Sequence, residues 1–101
     1  MTALQMLIGL LVQKIEVVHD YVQILFSDGT MLTIFNNYNY DGTSIQVING
    51  TKVISLEESD ERVVITFDDL LSLSVSLSPG YYNGPEAMVL RRKGEAIVVW
   101  N

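Results

Sequence analysis

The chain has 101 residues, 49% of them hydrophobic, and carries 12 acidic against 6 basic side chains, a formal net charge of −6. This length predicts a single domain, residues 1–101, with a core that needs no cross-links, and the hydrophobic content argues against disorder. The acidic balance argues against nucleic-acid binding, and the lack of cysteine excludes disulfides, thiolate catalysis and cysteine metal sites.

The first twelve residues are mostly apolar. They lack a basic region and a small-residue cleavage site, so we expect no signal peptide, and they are too short to span a bilayer. They predict a short N-terminal helix that places Leu4, Leu7 and Ile8 over one end of the core and ends at Gly9. We expect a cytoplasmic protein that does not contact a membrane.

The rest of the chain alternates apolar and polar residues, which places successive side chains on opposite faces of a strand. Residues 71–78 alternate most strictly, with serines along one face, and Asp28-Gly29 is the strongest hairpin signal. In chain order, the predicted strands are 12–18, 21–27, 30–35, 44–48, 53–58, 63–67, 71–78, one that ends at Leu90, and 96–100.

A shift of 41 residues overlays the chain on itself without a gap. Gly9 then matches Gly50, Phe26 matches Phe67, and Asp28 matches Asp69, which predicts two repeated units over approximately residues 7–48 and 48–89. The alternative is that two amphipathic hairpins resemble each other because both alternate. The matches of Gly, Asp and Tyr at non-alternating positions favour a true repeat.

We therefore predict an all-β, mainly antiparallel fold with a short N-terminal helix. It would be a small sandwich or a partly open barrel, built from two repeated β-meanders and closed by strand 96–100. The residues expected to form its core are Leu7, Val22, Ile24, Phe26, Leu32, Ile34, Val63, Ile65, Phe67, Leu73, Val75, Leu77, Val89 and Val98.

No set of residues indicates catalysis. His19 is the only histidine, and its neighbour Asp20 would point away from it because adjacent strand residues face opposite sides. There is no glycine-rich phosphate loop and no metal-ligand spacing. Asp68-Asp69 would bind a cation together with Asp28 if the repeats met, but a plain polar turn is the simpler interpretation. We expect neither an enzyme nor a cofactor or metal.

The charge distribution indicates a partner-binding surface. Half of all the acids lie within residues 57–69, opposed only by Arg62, and acids crowded at the two ends of one hairpin repel each other unless a cationic partner relieves them. The alternative is a solvated loop that protects an edge strand from aggregation. The predicted partner-binding acids are Glu57, Glu58, Asp60, Glu61, Asp68 and Asp69.

Tyrosines lie in the loops that end each repeat, mixed with asparagine and glycine, which is the composition of binding loops. Tyr40 and Tyr81 match under the 41-residue shift, and we interpret them as covering the ends of the core. Tyr38 and Tyr82 are predicted to contact the partner.

Four stretches carry a resemblance to a known class of proteins: residues 25–34 (LFSDGTMLTI), 84–90 (GPEAMVL), 97–100 (IVVW) and 8–12 (IGLLV). Together they resemble small β-rich immunity proteins encoded in bacterial polymorphic-toxin and contact-dependent growth-inhibition loci. The resemblance implies an antitoxin that binds and neutralises a cognate toxin domain. Many such toxins are nucleases with basic clefts, which an acidic hairpin would fit. Binding residues do not transfer between these proteins, so only the role is carried over.

An alternative function is a structural or adaptor β module that associates with itself. The serine row and an open sheet edge would pair with a second copy, giving a homodimer.

Overall fold

The computed structural model describes residues 3–18, 21–36, 38–40, 45–68, 71–77 and 87–100. The described chain begins with a 3₁₀ helix, Ala3–Leu7, and contains a second one, Ile45–Ile48. The strands are β1 (Val12–Val18), β2 (Tyr21–Phe26), β3 (Met31–Ile34), β4 (Tyr38–Tyr40), β5 (Val53–Glu58), β6 (Arg62–Phe67), β7 (Ser72–Ser76), β8 (Met88–Arg91) and β9 (Val98–Trp100).

These strands form two antiparallel sheets. The five-stranded sheet has the order β1-β2-β3-β8-β9, and the four-stranded sheet has the order β4-β7-β6-β5. An isolated bridge between Leu11 and Lys52 joins β5 to the segment just before β1, and the described sheets do not close into a barrel. The prediction of a mainly antiparallel all-β fold with a short N-terminal helix is confirmed, the helix being of the 3₁₀ type.

One hydrophobic core lies between the two sheets and is filled by alternate residues of the central strands. In β2 and β6 the burial alternates residue by residue, as period-two patterning requires. Phe26 and Phe67 are its largest side chains, and both are fully buried. The predicted core residues Leu77 and Val98 are only half-buried and pack against its margin.

The sequence predicted one core residue in β8, Val89, whereas the structure buries both sides of this strand. Val89 is buried but lies on the outer side of the five-stranded sheet, where it lines a groove. Met88 and Leu90 instead face the core, paired with Ile34 and Leu32 of β3. All four residues from Ala87 to Leu90 are buried, so the run shows no alternation from which the inward face can be read.

The prediction of a strand at 44–48 was wrong, because residues 45–48 form the second 3₁₀ helix. A 3₁₀ helix has three residues per turn, so Ile45 and Ile48 lie on one side of it. Ile48 is fully buried and Ile45 packs against the core. Leu4 and Leu7, which are also buried, hold the same positions in the first 3₁₀ helix under the 41-residue shift.

The two helix ends make reciprocal hydrogen bonds. The Gly9 N–H donates to the Val53 carbonyl and the Gly50 N–H donates to the Val12 carbonyl, each at 2.8 Å. Both glycines have positive φ, 92° and 87°, which only glycine adopts without strain. Gly9 matches Gly50 and Val12 matches Val53 under the shift, so the two bonds are equivalent. An approximate two-fold axis between the halves exchanges one bond with the other.

The halves also exchange their fourth strands. β4 follows β3 in the chain but pairs with β7, whereas β8 follows β7 but pairs with β3. Each sheet is therefore completed by a strand from the other half. β9 has no symmetric counterpart among the described strands. It pairs with the free side of β8, whereas β4, which takes the place of β8 in the four-stranded sheet, is an edge strand.

Candidate partner-binding surface

The acidic residues predicted to bind a partner centre on the hairpin of β5 and β6. Its turn is held by Ser59, whose backbone N–H donates to the Arg62 carbonyl at 2.9 Å. The Ser59 hydroxyl oxygen accepts the N–H groups of Glu61 and Arg62, each at 3.3 Å. The carbonyl of Glu61 also accepts the Leu77 N–H at 2.9 Å, so the residue after β7 stabilises the turn. These bonds fix the backbone that presents the acids.

Four of the predicted acids lie together at this turn, and we call them the acidic tip: Glu57, Glu58, Asp60 and Glu61. All four are exposed. Glu57 pairs with Val64 and Glu58 with the fully buried Val63, so the two side chains leave opposite faces of the sheet. The acids therefore surround the turn rather than line one face of it.

A shallow groove of about 260 Å³ lies against the tip. Its lining includes Glu57 and Glu58, the aliphatic side chain of Val64 and the guanidinium-bearing Arg62. Carboxylates beside a small apolar floor fit the long side chain of a lysine or arginine, whose stem is apolar and whose end is cationic. This arrangement suits a basic protein surface.

One acid of the tip has an internal partner that the sequence did not indicate. The Trp100 indole Nε1 donates to the Glu58 Oε2 at 3.0 Å. This bond ties the last strand of the five-stranded sheet to the acidic hairpin of the other sheet. Trp100 and Glu58 are 42 residues apart, and no local pattern signals a pairing over that distance.

The structure places Asp68 away from the tip. It follows β6 at the opposite end of the strand, roughly 20 Å away by the rise per residue. Its Oδ2 accepts the Lys52 N–H at 3.0 Å, and its own N–H donates to the Lys52 carbonyl at 3.0 Å. Asp68 thus closes the base of the hairpin, and the predicted neighbour Asp69 lies outside the described residues.

Of the two predicted tyrosines, Tyr38 is described and Tyr82 lies outside the described residues, as does Tyr81. Tyr38 is 37% exposed on the edge strand β4. It belongs to one cross-strand row with Val75, Val63 and Glu58. Val75 and Val63 are fully buried, so this row faces the core. Tyr38 and Glu58 therefore lie at its two ends, on opposite edge strands of the four-stranded sheet and roughly 14 Å apart.

Tyr40, two residues further along β4, packs against the core as expected. Its hydroxyl is buried and has no hydrogen-bond partner among the described residues. Among the described residues, the ring is therefore held by packing.

Two basic residues lie in the turn after β8, at the end of the β8–β9 pair that is away from Trp100. Arg92 and Lys93, in the turn after β8, line a pocket with Asp28 and Glu95. In the described chain no ion pair joins this basic turn to the acidic tip, so direct pairing does not neutralise the tip.

Asp28 closes the β2–β3 turn by accepting the Thr30 N–H at 2.9 Å. Burial alone would raise the pKa of the Asp28 carboxyl, but the hydrogen bonds from Thr30 outweigh it and hold that pKa below its ordinary value.

The described residues contain no group of three or more His, Cys, Asp or Glu side chains that could hold a metal ion. His19, the sole histidine, lies outside them. No described helix is long and apolar enough to cross a bilayer. Comparison with models of known protein families, with curated proteins and with solved structures finds no match.

Proposed function

We propose that this chain is a cytoplasmic immunity protein that binds a cognate bacterial toxin domain and covers its substrate cleft. The toxin would be a nuclease. The observation that carries the proposal is the acidic tip: four exposed carboxylates on a hairpin whose turn is fixed by hydrogen bonds.

The chemistry of such a cleft supports this function. A nuclease binds the phosphate backbone with lysine and arginine side chains, so its cleft is positively charged. Exposed carboxylates around a turn fixed by hydrogen bonds carry the same sign of charge as phosphates, and complementary charge speeds association. Because the tip is already ordered, little conformational entropy would be lost when it binds.

The distribution of charge favours the tip over other surfaces. The basic turn at Arg92 and Lys93 is paired with no acid of the tip within the described residues, and Glu58 is held by an uncharged indole. Within residues 57–68 of the hairpin, Arg62 is the only base. A basic partner approaching this end of the molecule would meet the strongest concentration of negative charge.

The test is a titration with the C-terminal domain encoded immediately upstream of this gene, at low and at high salt. The informative variant is Glu57→Lys with Glu61→Lys, which reverses two acids of the tip and leaves the bond between Glu58 and Trp100 in place. Its matched control is Glu16→Lys with Glu95→Lys, two exposed acids elsewhere whose reversal changes the net charge equally.

We expect wild-type binding to weaken steeply with salt, and the tip variant to associate at least about tenfold more slowly at low salt than the control. Tight binding that is indifferent to salt and to the tip variant would remove the tip from the interface. Absence of binding would leave self-association through the edge strands as the favoured function, which sedimentation velocity would detect as a concentration-dependent dimer.

A further inference from the structure

The outer faces of the two sheets differ in a way that the repeated fold does not require. In the four-stranded sheet, the outward residues of β7 are Ser72, Ser74 and Ser76. Their counterparts in the five-stranded sheet, under the 41-residue shift, are Met31, Thr33 and Phe35. The matched positions are all serine in one half and include Met31 and Phe35 in the other, so the five-stranded sheet has the more apolar outer face.

Thr33 and Phe35 line a groove of about 490 Å³ that crosses the outer face of the five-stranded sheet from β2 to β9. Val89 and Thr33 form its floor and are only 6% and 5% exposed. Ile97 and Val99 form one wall and are 53% and 42% exposed. Large aliphatic side chains this exposed beside a buried floor are typical of a binding surface.

The two ends of the groove have different chemistry. At one end the rings of Tyr21 and Phe35 lie against each other, with centroids 5.6 Å apart. Toward the other end lies Arg91, paired with Met31, and roughly 13 Å separates the position of Met31 from that of Phe35 along the chain. Arg91 is the single charged residue of the lining, and within the described chain it forms no ion pair.

From this arrangement we infer that the outer groove docks a short extended segment of a partner protein, with an aliphatic or aromatic side chain against the rings and a carboxylate on Arg91. A guanidinium binds a carboxylate through two parallel hydrogen bonds, which fixes orientation. The distance between the ends corresponds to about four extended residues. This surface is separate from the acidic tip, and the inference does not depend on the toxin.

A second copy of this chain is a poorer occupant. A stable protein–protein interface uses roughly 20–30 residues on each side, whereas the groove is lined by eight. Two copies would also bring together molecules that each carry a net charge of −6. A short acidic and apolar segment needs only a groove, and its carboxylate is complementary to Arg91.

The test uses the full chain and a phage-displayed library of random 12-residue peptides. Synthetic versions of the enriched peptides are then titrated against wild type and four variants by fluorescence anisotropy. Val99→Glu and Arg91→Glu alter the groove. Ile54→Glu is the control for the first, since Ile54 is also a strand residue that is 42% exposed, and Lys52→Glu is the control for the second. Circular dichroism checks that all four variants fold.

We expect enriched peptides to share an aliphatic or aromatic residue about four positions from an acidic one, and to lose at least about tenfold in affinity with either groove variant. The controls should stay within about twofold. A library without enrichment, or peptides that bind the groove variants as well as wild type, would overturn the inference. A dimer in sedimentation that Val99→Glu dissociates would also overturn it, since the occupant would then be a second copy.

Discussion

Removing the hydrogen bond between Trp100 and Glu58 should weaken the attachment of the last strand to the opposite sheet. A hydrogen bond to a charged group contributes about 1.5–3 kcal/mol when it is shielded from water. The Nε1–Oε2 distance of 3.0 Å is good, but Glu58 is exposed, so water competes and we expect about 1 kcal/mol. Each single substitution also changes packing. The loss of stability measured for one variant against wild type would therefore combine the packing change with the loss of the hydrogen bond.

A double-mutant cycle separates the bond from those other effects. Urea unfolding of wild type, Trp100→Phe, Glu58→Ala and the double variant gives four free energies of unfolding. We expect the double variant to be more stable than the sum of the two single losses predicts, by about 1 kcal/mol. Losses that add within about 0.3 kcal/mol would refute the claim that this contact joins the sheets.

Three further predictions concern stability and the acidic tip. Phe26→Ala and Phe67→Ala should each cost about 3–5 kcal/mol in urea unfolding, because both rings are fully buried at matched positions of one core; a loss at one position alone would contradict that symmetry. Asp28→Asn should lower the free energy of unfolding at neutral pH, and this effect should disappear in acid. The Asp28 carboxyl has a lower pKa in the folded state than its unfolded value of 3.8, so it stabilises the fold above that value. The contribution is lost as the pH falls through the folded-state pKa. A pH-independent difference would contradict it. A basic partner on the tip should change the emission of Trp100, the single tryptophan, and this change should be absent in the Glu58→Ala variant.

The strands of the central hairpins were predictable because burial on one face imposes a period of two on the sequence. Residues 72–76 (SLSVS) show it without interruption. The period fails where consecutive residues are all buried, which is why Met88 and Leu90 were not predicted as core residues alongside Val89. The exchange of β4 and β8 was not predictable, since a strand carries the same pattern whichever neighbour it pairs with.

The second 3₁₀ helix had a signal that was not used. The 41-residue shift aligns Leu4 with Ile45 and Leu7 with Ile48, so the helix predicted at the N-terminus implied another before Gly50. The acidic tip was predictable from charge density along the chain. The separation of Asp68 from the tip followed from the hairpin itself, whereas the contact between Glu58 and Trp100 depends on how the two sheets pack.

The exchange of fourth strands determines how the chain can fold. Ile34 pairs with Met88, more than half the chain away, and Tyr38 pairs with Val75. Neither half can therefore complete its sheet before most of the polypeptide has been synthesised, and such distant pairings slow folding. The halves should unfold in one cooperative transition. A polypeptide containing one half alone would recover the same pairings only by associating with a second copy, so the present chain has the connectivity of a two-fold dimer joined into a single molecule.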